Sequence, residues 1–131
     1  MRFLCLGYFD SNKMTALSKT EMDGLWSQCR PHMEELYKTG KLTLDAGLEL
    51  ITKRLQRVNG KVRVTDGPYA ESKELIGGAF LIEAQDIEEA IELASLHPTT
   101  RVAEGEELGW RLEIRPIHYF EMPIASATAS R

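Results

Sequence analysis

The chain changes its hydrophobic period several times. Residues 2–9, RFLCLGYF, are aromatic and aliphatic almost throughout and predict a first strand. A polar loop, residues 10–17, follows. Ser18 stands three residues before Glu21, the spacing of a capping box. Met22, Leu25, Trp26, Cys29, Met33 and Leu36 then recur at helical spacing. The stripe stays in phase across Pro31, so the pattern predicts one helix over 19–39. A kink is expected where the proline removes the hydrogen bond to the carbonyl of Ser27. Gly40 ends the helix.

Period two returns at 41–51, KLTLDAGLELI, with Leu42, Leu44, Ala46, Leu48 and Leu50 on one face. Thr43, Asp45, Gly47 and Glu49 share the other. Asn59-Gly60 sits between two alternating runs in 53–65, a strong hairpin signal. Residues 75–84, LIGGAFLIEA, read as a further strand, with Gly77-Gly78 marking a bulge or a close approach. Asp86 caps a second helix, with Glu89 at the third position and Ile87, Ala90, Ile91 and Ala94 as its stripe. His97-Pro98 ends that helix. Trp110 to Arg115 alternates as a last strand. With the hairpin set aside, the order is βαββαβ. That order predicts an α+β, ferredoxin-like fold, with an antiparallel sheet carrying two helices on one face and the β-hairpin inserted. One domain is expected over 1–120, with a loosely ordered tail over 121–131.

The sheet then has a second face to account for. In the first strand, Phe3, Cys5, Gly7 and Phe9 alternate with Leu4, Leu6 and Tyr8, and both sets are largely apolar. The strand at 75–84 behaves the same way. A strand apolar on both sides is normally buried on both sides. Left in water, such a face is on the order of several hundred Å² of apolar surface, uncommon on a monomer. A second copy is the expected cover, as a two-fold homodimer. Asp45 and Glu49 in one strand, and Arg111, Glu113 and Arg115 in another, lie opposite their strands' apolar sets. If those sets face the helices, the charges face the dimer cavity, a ligand-site shape. Otherwise they form salt bridges at the interface edge or sit in solvent.

Composition narrows the partners. Sixteen basic against twenty acidic residues give a net charge of −4. That balance argues against nucleic acid or an anionic membrane as the main partner. The apolar run Met1 to Phe9 is too short for a signal-peptide core with its cleavage site, and no run approaches a membrane span. A soluble, cytoplasmic protein is expected. Cys5 and Cys29 sit in apolar surroundings and read as small core residues in a reducing compartment. No cluster has metal-ligand spacing, so no metal is predicted. No nucleophile elbow, phosphate loop or dinucleotide fingerprint is present, which leaves a cofactor-free activity.

Few titratable side chains then remain as candidates. In Asp66-Gly67-Pro68 the usual Asx-turn is unavailable, because the residue two positions on is a proline without an N–H. Asp66 therefore bonds the N–H of Tyr69 or Ala70, or faces a ligand. Tyr69 packs in a dimer seam or lines a pocket. His32 lies at the edge of the helical stripe, as a half-buried structural ring or as a base at a pocket mouth. An ordinary histidine titrates at about pH 6.5, which suits proton transfer if Asp45 or Asp66 orients it. Arg111 and Arg115 could hold an anion. Glu71 to Glu74 read as a solvated strand entry. His97 is expected as a cation favoured by a helix C-terminus, and His118 is expected at the surface.

VTDGPYAESKE, followed by LIGGAFLIEAQDIEEAIELASLHP and LEIRPI, resembles the DGPF-type branch of the YCII-related family, over residues 1–117. Tyr69 stands where phenylalanine is usual. The resemblance implies ferredoxin-like protomers paired into a dimeric α/β barrel. It also implies enzymes in some members, including a dehydrochlorinase-like activity in one relative, and a regulatory setting near sigma-factor genes for others. A histidine and an aspartate are the family's suspected catalytic pair. Arg30-Pro31-His32, ahead of Lys38-Thr39-Gly40, puts His32 at the histidine position. Lys38 or Thr39 occupies the acidic one, so the pair is broken.

Two functions follow as expectations. One is a cofactor-free lyase, isomerase or dehalogenase acting on a small anionic organic molecule. Asp66 or His32 would move the proton, Arg111 or Arg115 would hold the anion, and Asp45 and Tyr69 would line the pocket. The other is a non-catalytic module binding a metabolite or a protein partner. A purely structural dimer would instead have a filled interface.

Overall fold

The computed structural model describes residues 1–67 and 74–123. The chain runs through β1 (Arg2–Asp10), α1 (Ser11–Thr15), α2 (Lys19–Lys38), β2 (Leu42–Gly47), β3 (Thr52–Val58) and β4 (Lys61–Gly67). It continues through β5 (Glu74–Glu83), α3 (Ile87–Ala94), α4 (Pro98–Arg101), a 3-10 turn (Ala103–Gly105) and β6 (Arg111–Pro116). Four strands make one antiparallel sheet in the order β2-β5-β1-β6, and β3 and β4 form a separate two-stranded ribbon. With the ribbon removed, this is the ferredoxin-like arrangement that the element order predicts. Tyr69, with the rest of 68–73, and the tail from 124 onward lie outside the described residues.

The predicted helix starts form by the predicted chemistry. Ser18 accepts the N–H of Glu21 at 3.1 Å, and the Glu21 carboxylate accepts the N–H of Ser18 at 3.0 Å. The Ser18 N–H, and after it the Ser18 side chain, favour the charged form and hold the Glu21 carboxyl below its usual range. Asp86 accepts the N–H of Glu89 at 2.8 Å and opens α3. α2 runs unbroken through Pro31. Leu36 from α2 and Ala90 and Ala94 from α3 meet Phe3, Cys5, Phe80 and Ile82 of the sheet in one buried core. The helices therefore cover the Phe3–Cys5 face.

The faces of β2 differ from the simple alternation. Leu42 pairs with Ile82, yet Leu44 pairs with the next residue, Leu81. Thr43 is an extra residue, a β-bulge, and it inverts the parity of everything after it. Leu44 and Ala46 therefore lie on the open face, beside Leu81 and Ala79. Asp45 pairs with Phe80 and lies on the helix side. The expectation that Asp45 shares a face with Arg111 and Arg115 is corrected by this one residue. A second irregularity falls between Gly7 and Tyr8, at Gly77 of β5. A Cβ on Gly77 would stand 2.8 Å from the Phe9 ring, so a larger residue there would have to displace that ring.

The open face carries Leu4, Leu6, Tyr8, Leu44 and Leu81, with Arg111, Glu113 and Arg115 of β6 along one side. Several of its polar groups are engaged with neighbours on that face. Arg111 pairs with Glu74 and stacks 4.3 Å from the Tyr8 ring centre, and the Tyr8 hydroxyl donates to Glu113 at 2.7 Å.

Candidate functional site

A cavity of about 510 Å³ opens on the helix side of the sheet, between its β2–β5–β1 part and the helices α2 and α4. The strand register explains the space. Gly47, Gly78 and Gly7 are direct neighbours across β2, β5 and β1, so three consecutive strands present no side chain there. All three line the cavity, and a Cβ built on Gly47 meets nothing within 4 Å. The walls are apolar and aromatic. Met22, Trp26 and Met33 come from α2, Phe80 from β5, and Trp110 stacks on Trp26 with ring centres 6.5 Å apart.

His97 and Asp45 line the cavity too, beside Tyr8, Thr15 and Thr99. His97 precedes Pro98, and proline at the first helical position makes the preceding residue an N-cap. The ring Nδ1 accepts the backbone N–H of Thr99 at 3.1 Å and lies 2.6 Å from the Thr99 hydroxyl. A backbone N–H can only donate, so Nδ1 carries no proton and the neutral ring carries it on Nε2. The ring lies flat on Phe80, 4.7 Å between centres at 7°. Burial pushes its pKa down to about 4, against the opposing pull of the Asp45 carboxylate. His97 is therefore a neutral N–H donor at pH 7. The expectation of a cation at a helix C-terminus is corrected: the ring caps the start of α4 and is too buried to charge. Among the described residues Nε2 has no hydrogen-bond partner, and it is not sealed from solvent. His97 lines the cavity, so a molecule there can accept that proton's hydrogen bond.

Asp45 reaches the same cavity from β2, at its mouth. The Tyr37 hydroxyl donates to Asp45 Oδ2 at 2.6 Å and fixes the carboxylate. That bond, with a smaller contribution from burial, raises the Tyr37 pKa, so the phenol stays protonated and donating. Asp45 is the only formally charged side chain lining the cavity among the described residues. Cys29 also lines it, but burial and then Glu104 raise its pKa. Burial pushes Cys5 up to about 12, so neither thiol is an activated nucleophile.

Of the five sequence candidates among the described residues, Asp45 alone lines this space. His32 is half-buried on α2 and is not among the lining residues. Asp66 lies near the end of β4 with its side chain 82% exposed, paired with Lys53 across the ribbon. Arg111 and Arg115 are on the opposite face of the sheet, and Tyr69 is outside the described residues. Among the described residues no group of three or more His, Cys, Asp or Glu is placed to hold a metal ion, and no helix is long and apolar enough to cross a membrane. Sequence reasoning missed His97, Thr99 and Tyr37. The available signal was His-Pro-Thr, which reads as an N-cap ahead of a proline as readily as a helix stop.

A YCII-related domain is matched over residues 1–109. The chain belongs to the YCII-related family. This YCII-related protein is 28% identical over 123 residues to an uncharacterized protein of Rhizobium meliloti (strain 1021), covering 92% of this chain and 95% of that one. Among solved structures it is similar to the 5-chloro-2-hydroxyhydroquinone dehydrochlorinase of Burkholderia phenoliruptrix AC1100, solved in complex with 2,5-dihydroxybenzoquinone. That likeness is at 14% identity and a TM-score of 0.49, over 92% of this chain and 96% of that one. The matched residues of the YCII-related domain contain the glycine row, Tyr37, Asp45 and His97.

Proposed function

We propose that this YCII-related protein is a cofactor-free enzyme of the lyase, isomerase or dehalogenase type, working in the helix-side cavity on a small uncharged ring compound bearing a carbonyl. The observation that carries this reading is that His97, with Nδ1 engaged by the Thr99 N–H, and a carboxylate fixed by Tyr37, Asp45, line one cavity. Asp45 takes a proton from the carbon beside the carbonyl. The electron pair of that C–H bond moves to the carbonyl oxygen, and the neutral His97 N–H stabilises the developing oxyanion. A neutral imidazole acting as electrophile beside a carboxylate base is an established pairing for this chemistry. Return of the proton to another carbon is an isomerisation. Expulsion of a neighbouring substituent with its bonding electrons is an elimination.

The apolar walls and the lone carboxylate favour an uncharged molecule over an anion, which would meet Asp45 with no cation beside it. Arg111 and Arg115, the expected anion holders, are on the other side of the sheet. That other side is where a homodimer would form: Leu44 is 53% and Ile76 40% exposed there, and a second copy packed on this face would cover them.

The test is a thermal-shift and turnover screen with small cyclic ketones, phenols and quinones, on wild type and on Asp45→Asn and His97→Gln. Binding retained and turnover lost in both variants supports the enzyme. Binding without turnover in the wild type favours the non-catalytic module. Hits unaffected by either substitution would remove this cavity from consideration.

A further inference from the structure

The two tryptophans of the chain, Trp26 and Trp110, both line the helix-side cavity. So do Phe9 and Phe80, and three of the five methionines, Met14, Met22 and Met33. Its walls are therefore rich in rings and thioethers. Those surfaces favour a flat π-system, by stacking and by sulfur–ring contact, over a puckered chain.

Trp26 stands out within this set. Met22, Trp26, Cys29 and Met33 form one stripe of α2, at the spacing of a single helix face. Further along the helix, Leu36 is fully buried in the core with Phe3 and Ile82. At the cavity the strands present the row Gly7, Gly47 and Gly78 instead, and Trp26 stays 51% exposed. A large aromatic side chain on an inward stripe is left half in water, a loss that a stacked ring would offset.

The plane of the indole is set in advance. Trp110 lies nearly parallel to it, with 12° between planes and 6.5 Å between ring centres. Trp110 is itself seated on Gly105, where a Cβ would stand 3.0 Å from the indole ring. Its backbone N–H donates to the Gly105 carbonyl at 2.9 Å. A side chain already held in its binding orientation loses little freedom when a ligand ring stacks on it.

We infer that Trp26 is the specificity-determining residue of the cavity. It selects a planar, conjugated ring, lying between the indole and the glycine row, over a puckered ring of the same size. This selectivity rests on the cavity being the ligand site proposed above, and is independent of the proton transfer.

Acetophenone and cyclohexyl methyl ketone test it. They share a carbon skeleton and a carbonyl, but one ring is flat and the other puckered. Each is titrated into the isotope-labelled full chain and read at the two indole N–H resonances, both of which belong to this cavity. Acetophenone should bind about three- to tenfold more tightly. Trp26→Leu should lower the acetophenone affinity to that of cyclohexyl methyl ketone and leave the latter unchanged, read at the Trp110 resonance. Trp26→Phe, which keeps a ring, should keep the preference. A wild type that binds the two ketones equally overturns the inference, and so does a preference that Trp26→Leu leaves intact. If both bind alike and Gly47→Leu abolishes both, the cavity stands as the ligand site and only the selectivity falls. If neither binds, or Gly47→Leu changes neither, the selectivity and the ligand site fall together.

Discussion

The two faces of the sheet treat their polar side chains in opposite ways. On the open face Arg111, Glu74, Tyr8 and Glu113 satisfy one another in a chain of ion pair, stacking and hydrogen bond. On the helix side His97 and Asp45 stand among largely apolar walls. One, His97, is kept neutral by burial, and the other, Asp45, has no Lys or Arg beside it in the cavity lining among the described residues. The first face has more charge and less available chemistry. Charge density is therefore a poor guide to the site in this molecule. The better guide is a polar atom held in one state and left without a partner.

Asp45→Asn should have the largest effect. If the carboxylate is the base, turnover falls on the order of 10²–10⁴-fold, with the thermal midpoint nearly unchanged because Asp45 is exposed at the cavity mouth. Single-turnover kinetics on the ligand found by screening would measure it, and a loss under tenfold would break the assignment. Next in size is Gly47→Leu. Its Cβ meets nothing within 4 Å, so the side chain fills the cavity while the fold tolerates it. Ligand affinity should drop about tenfold or more, read by calorimetry, with the circular dichroism spectrum retained.

His97 predicts a pH dependence. Its folded pKa, about 4, lies below the unfolded value of 6.5. The unfolded chain therefore takes up a proton that the folded chain refuses. Stability from this group is intact above pH 6.5 and is lost as pH falls from there to about 4, by about 3 kcal/mol. The difference in urea midpoints between wild type and His97→Gln across that window isolates it from the carboxylates. A pH-independent difference would place the ring in solvent. The smallest effect belongs to the other face: Arg111→Ala should leave both turnover and the thermal midpoint unchanged, because its ion pair is exposed. A loss of turnover there would erase the contrast between the faces.

The site was only partly legible in the sequence. Asp45 could be named as a pocket residue, but it was assigned to the wrong face, because strict alternation cannot register a bulge at Thr43. His97 was read as a cation at a helix end, not as a neutral donor. Its protonation state depends on Phe80 and Thr99 packing around it. Asp66 drew attention because Pro68 denies it an Asx-turn, but its nearest partner, Lys53, comes from the opposing strand of the ribbon.

Sequence by itself determined the elements whose causes are local. The Ser18–Glu21 box, the Asp86 cap and the Asn59-Gly60 turn each act over a few residues, and together with the strand periods they specify the ferredoxin-like order. Tertiary structure alone decided where a cavity opens, because that depends on register between strands far apart in the chain. Gly7, Gly47 and Gly78 are unremarkable singly. They leave an empty volume only because pairing sets them side by side.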